Sequence, residues 1–213
     1  MLALAAALAV ACAPAPAADA TGTQLITVEA PTTETTHATL RTWERRDRCW
    51  HPVAGPYPAR VGRAGLSRNR HEGDGTTPIG TFGIAPTMYG NAPNPGVRFR
   101  YHRLRCGDWW VEDPAYPAYN SFVHWTCNRQ PPFRTPTPDM SRSPAAYAFL
   151  AVVEFNMHPV VRGRGSGIFL HVARGRPTNG CVSLPRAELA SVLRWLRPGA
   201  QPQIAIGTPA DFR

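Results

Sequence analysis

The segment His171–Cys181 contains the two residue types that nucleophilic catalysis by a thiol requires. His171 ends the apolar pattern Ile168–Val172, and a loop rich in Gly, Pro and Asn leads from there to Cys181. A thiol attacks a carbonyl carbon as the thiolate, so it needs a base or a cation nearby. Because the loop is short enough to return the chain beside His171, the spacing predicts Cys181 as a nucleophile and His171 as its base.

Each of these residues also has a simpler interpretation. Taken singly, Cys181 would be an ordinary buried cysteine and His171 a histidine of the core. The Gly-Cys dipeptide and the return of the chain after a strand favour catalysis when both residues are considered together. Papain-like enzymes are disfavoured, because they place the Cys before the His and no His follows Cys181.

The loop itself contains candidate donors to an oxyanion. The backbone amides of Gly180 and Cys181, together with Asn179, are expected to face the negative charge that develops on an attacked carbonyl. Thr178 is expected to brace the loop or to orient His171 through its hydroxyl.

Arginines flank this segment. Arg174 and Arg176 lie in the loop, and Arg164 lies just before the strand. A guanidinium group lowers the pKa of a neighbouring thiol and binds carboxylates with two hydrogen bonds. We therefore predict that these arginines favour the thiolate and bind substrate carboxylates.

Weaker candidates for substrate contact lie in a long stretch rich in Pro, Tyr and Trp, residues 86–138. They are Tyr119, Asn120 and His124, and for all three a structural or surface role weighs more heavily. The Asp74–Gly75 dipeptide is interpreted as a hairpin turn outside the site, since such dipeptides mark turns in any β protein.

The composition favours strands over helices as the elements that position these residues. The 23 prolines and 18 glycines are typical of a loop-rich, strand-based domain. We predict one catalytic domain over 40–213, preceded by a linker or irregular lead-in strand over 21–39. The main predicted elements are strands within Leu40–Val61, Asp74–Phe82, Val152–Asn156, Ile168–Val172 and Gln203–Gly207, and a helix over Arg186–Leu196.

The first 20 residues are typical of a signal peptide. Leu2–Ala11 is apolar and too short to span a bilayer, and a Pro- and Ala-rich stretch follows it. Ala18–Ala20 offers an A-x-A cleavage site, whereas Ala9–Cys12 resembles a degenerate lipobox that would make Cys12 a lipid anchor. A charged region before the apolar stretch is absent. The apolar stretch and the candidate cleavage sites nevertheless predict export of the chain to the cell wall or the extracellular space.

The five cysteines predict disulfides more readily than a metal site. No C-x-x-C pair is present, which disfavours structural zinc, and disulfides are the default in an exported chain. Cys106 and Cys127 flank the same long excursion and are predicted to pair. Cys49 is then either buried or paired with Cys12.

The formal net charge of +9 comes entirely from arginine, because the chain has no lysine. This suggests an anionic partner, or simply reflects genome composition. The arginines are scattered, and no motif typical of nucleic-acid binding is present, so nucleic acid is not an expected partner.

At this point the sequence resembles the L,D-transpeptidases, the YkuD-type domain. Thr178, Gly180 and Cys181 match that family's [S/T]-H-G-C stretch, and His171 matches its upstream His. Residues 74–82 resemble the family's D-G-x-T-P-x-G-x-F strand, and residues 167–171 its G-x-I-F-L-H strand. Asn179 stands where many members have His, and the His-to-Cys interval is short, which indicates a divergent branch.

The resemblance, which covers roughly Leu40–Gly207, implies a mainly β fold: a YkuD-like β-sandwich or open barrel of mixed sheets with a few short helices. It implies a monomer that acts on peptidoglycan stem peptides without metal or organic cofactor. Cys181 would attack the bond between meso-diaminopimelate and D-Ala and pass the acyl group to a second diaminopimelate, giving a 3-3 cross-link. With water as acceptor the enzyme would be an L,D-carboxypeptidase. A different class of function, a non-catalytic wall-binding module with an inert Cys181, stays open.

Overall fold

A computed structural model of the chain describes residues 17 and 19–212. The predicted lipid anchor Cys12, its pairing with Cys49 and nearly all of the predicted signal peptide lie outside the described residues. The strands are β1 (Gln24–Glu29), β2 (His37–Arg46), β3 (Cys49–Arg60), β4 (Leu66–Ser67), β5 (Thr77–Pro78), β6 (Gly80–Gly90), β7 (Arg100–Arg103), β8 (Asp108–Trp110), β9 (Phe122–His124), β10 (Leu150–Val153), β11 (Phe169–Val172), β12 (Val182–Leu184) and β13 (Gln203–Gly207). The helix α1 spans Arg186–Trp195, and 3₁₀ turns span Met140–Arg142, Pro198–Ala200 and Pro209–Phe212.

Nine strands form one mixed sheet in the order β10-β11-β12-β3-β2-β1-β13-β6-β7. Strand β10 also pairs with β6, so the sheet curls round into a barrel-like arrangement. The pairs β1–β13, β11–β12 and β6–β7 are parallel, and the other pairs in this sheet are antiparallel. The predicted fold class, mainly β with mixed sheets and few helices, is confirmed.

The sheet begins earlier in the chain than the sequence suggested. Residues 21–39 contain β1 and the start of β2, and Leu25, Ile26 and Val28 are fully buried. Strand β1 lies between β2 and β13, which excludes water from both of its edges. The linker prediction is therefore wrong for this stretch, and the alternative of a lead-in strand describes it better.

The helix α1 packs its apolar stripe against the sheet. Leu189, Val192 and Leu193 are buried and share one core with Leu170 and Leu184 of the neighbouring strands. Burying side chains of this size stabilises the fold by about 1.5–3 kcal/mol each. The helix thus fixes the back of β11 and β12, whose front faces are described below.

The long excursion is more ordered than its composition suggested. Strand β6 continues to Gly90, so the first residues of the stretch 86–138 belong to the main sheet. Farther on, β8 and β9 form a hairpin, and Cys106 and Cys127 form a disulfide with a Cα–Cα distance of 5.1 Å. None of the helices in the described part of the chain has the length and apolar character needed to cross a bilayer.

Candidate active site

A cleft of about 870 Å³ opens on the front of β11 and β12. The two strands are parallel, and His171 lies opposite Ser183 in their register. Because side chains alternate between the faces of a strand, Phe169 and His171 share a face, and Cys181 and Ser183 share it with them. All four line the cleft, so the structure brings the predicted nucleophile and base to one surface.

The opposite faces of these strands explain why the arrangement is rigid. Leu170, Val172, Val182 and Leu184 alternate with the cleft residues and are buried in the main core. A one-residue slip of either strand would place apolar side chains in the cleft and polar ones in the core. The core therefore fixes which side chains face the cleft.

His171 is held as a neutral base. Its Nδ1 lies 3.0 Å from the carbonyl oxygen of Val172, an acceptor, so Nδ1 bears the proton and Nε2 has a free lone pair. The Tyr147 ring packs edge-on against the imidazole at a centroid distance of 5.6 Å. Burial lowers the pKa of His171 to about 4, although the Val172 carbonyl opposes that change. At neutral pH the imidazole is uncharged and able to accept a proton.

Cys181 is held as a thiol. Its Sγ donates to the carbonyl oxygen of Gly167 at 3.4 Å and accepts from the backbone amide of Phe169 at 3.4 Å. Burial raises the pKa of Cys181 to about 11; the Phe169 amide and the charge of Arg70 act in the lowering direction, and the charge of Glu112 acts in the raising direction. The resting pair is therefore thiol and neutral imidazole rather than thiolate and imidazolium.

This state predicts the pH dependence of alkylation by iodoacetamide. Only the thiolate reacts, and a raised pKa shifts its formation to alkaline pH. The alkylation rate of the free enzyme should therefore rise steadily above pH 8 and reach half of its maximum only near pH 11. Intact-mass measurements with Cys181→Ala as the blank would check it, and a plateau already present between pH 5 and 7 would show a resting ion pair instead.

Thr178 braces the loop before the nucleophile. Its Oγ1 donates to the carbonyl oxygen of Cys181 at 2.6 Å and accepts from the amide of Gly180 at 3.1 Å. Of the two roles expected for Thr178, these contacts correspond to bracing the loop rather than to orienting His171. The amide of Gly180 is engaged by this contact and does not point at a free oxyanion position, whereas Asn179 lines the cleft. The amides of Asn179 and Cys181 stay the candidate donors.

Arg70 lies beneath this loop and was not predicted. Its side chain is 3% exposed, and its Nη1 donates to Asp74 Oδ1 at 3.1 Å and to the carbonyl oxygen of Thr76. A Cβ atom on Gly180 would lie 2.5 Å from Arg70 Nη1, and Gly180 has a φ of +129°. Glycine is required at position 180 because the guanidinium occupies the space that a side chain would need.

The Asp74 turn therefore supports the site, which the sequence interpretation had excluded. The Asp74 carboxylate accepts from the amides of His71 and Thr76 and from the Thr76 hydroxyl. Held this way, it anchors Arg70, whose charge reaches Cys181. The backbone of the turn has a structural role, and the Asp74 carboxylate fixes the buried Arg70 guanidinium near Cys181.

The other predicted substrate contacts divide into two groups. Arg174 and Arg176 line the cleft and are exposed; the arginine whose charge lowers the Cys181 pKa is Arg70, and substrate binding by Arg174 and Arg176 stays a prediction. Arg164 is exposed on the surface away from the cleft, and His124 bonds Asp108 in the β8–β9 hairpin at 2.8 Å. Neither of these last two is among the residues that line the cleft, and for His124 this agrees with the structural role that the sequence favoured.

Tyr119 and Asn120 are buried supports rather than cleft residues. Asn120 Oδ1 accepts from Trp110 Nε1 and from the Gly167 amide, both at 3.0 Å, and its Nδ2 donates to two carbonyl oxygens. This uses the whole hydrogen-bonding capacity of the side chain. The Tyr119 hydroxyl donates to Glu72 and accepts from the Gly165 amide. Both residues therefore hold the segment 165–167 in place, and the carbonyl oxygen of Gly167 in that segment accepts the hydrogen bond from the Cys181 thiol.

Two carboxylates in the cleft were also missed. Glu72 and Glu112 both line it. Burial, together with the charge of Glu72, raises the pKa of Glu112 to about 7. Within the described residues, no group of three or more His, Cys, Asp or Glu side chains could hold a metal ion.

The comparison with known families agrees with this architecture. The family model for YkuD, the L,D-transpeptidase catalytic domain, matches residues 30–206. The chain belongs to this family. The match extends from just after β1 into β13 and includes both His171 and Cys181, so the resemblance inferred from the motifs is confirmed. YkuD membership supports a role in modifying peptidoglycan by a cysteine-dependent enzyme activity.

Among solved structures, this YkuD domain is similar to the helical cell shape determining protein Pgp2 from Campylobacter jejuni, at 12% sequence identity and a TM-score of 0.41. The match covers 88% of this chain and 48% of that chain, so this chain spans about half the length of that protein. No curated protein matches the chain in sequence.

Proposed function

We propose that this chain is an L,D-transpeptidase that forms 3-3 cross-links between diaminopimelate residues of peptidoglycan through a thioester on Cys181. The observation that supports this most directly is the shared cleft face of His171 and Cys181 in adjacent parallel strands. Membership in the YkuD family supplies the substrate class. The arginines of the cleft, Arg174 and Arg176, suit the carboxylates of a stem peptide.

The first half of the reaction forms the thioester. The Cys181 sulfur attacks the carbonyl carbon of diaminopimelate while its proton passes to Nε2 of His171. The tetrahedral intermediate then collapses, the carbon–nitrogen bond breaks, and the imidazolium returns the proton to the departing amine of D-Ala. His171 is neutral again, and the acyl group is bound to sulfur.

The second half transfers the acyl group. A neutral amine of a second stem peptide attacks the thioester and gives up a proton to Nε2 of His171. The carbon–sulfur bond then breaks, and the imidazolium delivers that proton to the sulfur. With water as the attacking group, the same steps release a tripeptide and make the enzyme an L,D-carboxypeptidase. The acceptor decides between the two activities.

The raised thiol pKa is the one observation that favours a non-catalytic wall-binding module. A thiol with a pKa of about 11 is almost entirely protonated at neutral pH. Attack is still feasible, because a neutral imidazole accepts the proton as the sulfur–carbon bond forms, and general base catalysis of this kind accelerates reactions by about 10²–10⁴-fold. The free Nε2 of His171 therefore makes the catalytic proposal the stronger one.

Product analysis tests the proposal. Purified tetrapeptide muropeptides incubated with the wild-type chain should yield 3-3 dimers together with free D-Ala, detected by mass spectrometry. Tripeptides without dimers would instead establish the carboxypeptidase. Substrate that is bound but unchanged by the wild type would establish the wall-binding module.

The proposal also includes export of the chain, a leader with a candidate lipid anchor at Cys12, and a monomeric state. The sequence of residues 1–20 and the cell-wall substrate of the family support export and the leader, and the monomeric state is what the resemblance to the family implies.

A further inference from the structure

We propose that Glu112 binds the ammonium group of the acceptor stem peptide beside the thioester and accepts its proton. This inference rests on the proposed transpeptidase function and names the group that makes the cleft select an amine over water. The inference assigns a side chain to the acceptor step, because His171 and Cys181 alone do not explain why an amine would be preferred over water.

The position of Glu112 places its carboxylate next to the reacting sulfur. A Cβ atom on Gly167 would lie 3.2 Å from Glu112 Oε1, and the carbonyl oxygen of Gly167 accepts the Cys181 thiol at 3.4 Å. One residue of backbone therefore separates the carboxylate from the nucleophile. Since both side chains line the same cleft, a ligand can contact both at once.

Glu112 is available for a ligand, whereas Glu72 is engaged. Within the described residues, the Glu112 carboxylate has one hydrogen-bond partner, Thr137 Oγ1 at 3.4 Å. Glu72 accepts from the hydroxyls of Ser166, at 2.7 Å, and Tyr119. A half-buried carboxylate with a single long contact gains free energy when a cationic partner arrives, and an ammonium group supplies one.

The charges of the cleft point to a cation at this position. Arg63, Arg174 and Arg176 line the cleft, as does Arg70, whose charge also reaches Glu112; donor carboxylates therefore have arginine partners in the cleft. The carboxylate of Glu112, with Glu72 behind it, lies at the Gly167 end. A stem peptide that presents a protonated amine is therefore attracted to that end and repelled from the rest.

An independent observation shows that the cleft is built for a polar ligand. Ser183 is 1% exposed, and its Oγ is buried without a hydrogen-bond partner in the part of the chain that the structure describes. Ser183 lies opposite His171 in the strand register and lines the cleft. Buried hydroxyls in native proteins are almost always paired, so a polar group of the substrate is the expected partner.

The proton balance of the acceptor step requires such a base. The acceptor amine is protonated at neutral pH and cannot attack until it loses one proton, which passes to the Glu112 carboxylate. The free amine then attacks the thioester, and its second departing proton reaches the Cys181 sulfur through His171 as the carbon–sulfur bond breaks. Glu112 releases its proton to solvent, so each transfer yields one proton.

The groups that face Glu112 favour this role near neutral pH. These groups are Glu72, Arg70 and Thr137, with the thiol of Cys181 nearby. Burial and the charge of Glu72 raise the pKa of Glu112 to about 7. The hydrogen bond from Thr137 and the charge of Arg70 act in the lowering direction. The carboxylate fraction therefore increases as the pH rises through 7. Dimer formation by the wild type should increase over the same range.

The test measures how the acyl-enzyme partitions between dimer and tripeptide. In Glu112→Gln the ratio of 3-3 dimer to tripeptide should fall at least tenfold, and the rise of this ratio near pH 7 should disappear. Hydroxylamine, which is largely uncharged at neutral pH, needs no ammonium site and should trap the acyl group equally in both proteins. Glu34→Gln, an exposed position, is the matched control and should behave as the wild type.

The outcomes separate this inference from the function on which it rests. If Glu112→Gln releases D-Ala and keeps the wild-type ratio of dimer to tripeptide, the inference is overturned and the transpeptidase is not. If the wild type releases no D-Ala, both are overturned. Glu112→Asp keeps the charge and should recover part of the transfer; a ratio as low as that of Glu112→Gln would overturn the argument from charge.

Discussion

Replacing Cys181 with alanine is expected to lower the rate of D-Ala release by at least about 10⁴-fold, the scale seen when a catalytic nucleophile is removed. The thioester cannot form without the sulfur, and no other thiol lies in the cleft among the described residues, where Cys181 is the free cysteine. The measurement is the initial rate of D-Ala release from tetrapeptide muropeptides. Intact mass should show an acyl adduct on the wild type alone.

The control for this variant is Cys181→Ser. Serine preserves a donor to the Gly167 carbonyl oxygen. Its hydroxyl is much harder to deprotonate than a thiol, and the His171 imidazole, with a pKa of about 4, is a weak base for that step. Its rate should therefore be nearly as low as that of alanine, with thermal unfolding unchanged. Release of D-Ala by Cys181→Ala at a rate within tenfold of the wild type would contradict the thioester mechanism.

Replacing His171 with glutamine is expected to lower D-Ala release by about 10³-fold, equivalent to ~4 kcal/mol in the activation barrier. Glutamine has nearly the same polar reach but cannot accept a proton from the thiol. The pH profile provides a second signature: the wild type should lose activity as the pH falls through about 4, where the lowered pKa of His171 is reached. That acid limb should be missing from the residual activity of the variant.

The matched control is His51→Gln, since His51 is exposed on β3. It should keep the rate, the pH profile and the thermal stability of the wild type. A His171→Gln variant that retains both the wild-type rate and the acid limb would show that another group is the base.

The sequence predicted that His171 and Cys181 lie side by side, because these residues are close together in the chain. His171 and Cys181 are separated by one loop, and the alternation of apolar residues on either side of them shows that both belong to strand ends. The helix α1 and the strand β13 were predictable for the same reason, since a helical stripe or a strand is a local pattern. The brace made by Thr178 also joins residues three positions apart.

Long-range pairing decided the rest. Strand β1 looked like a linker because its threonine-rich surroundings give no local signal, yet its partner β13 lies at the opposite end of the chain. Arg70 and Glu112 reach the cleft from segments remote from Cys181, and local spacing does not show which arginine or carboxylate of many will be buried there. Asn120 shows the same limit: the sequence favoured a structural role for it over substrate contact, but only the structure shows which backbone groups and which side chain it binds.

The physical reason for this division is the range over which each interaction acts. The types and order of His171, Thr178 and Cys181 indicated the candidate nucleophile, the candidate base and the brace, because one strand and one loop suffice to position them. The electrostatics of the site, a buried Arg70 on one side and a carboxylate at position 112 on the other, depend on desolvation. Desolvation exists only once distant segments pack together, so only the tertiary structure decided the charge around the thiol.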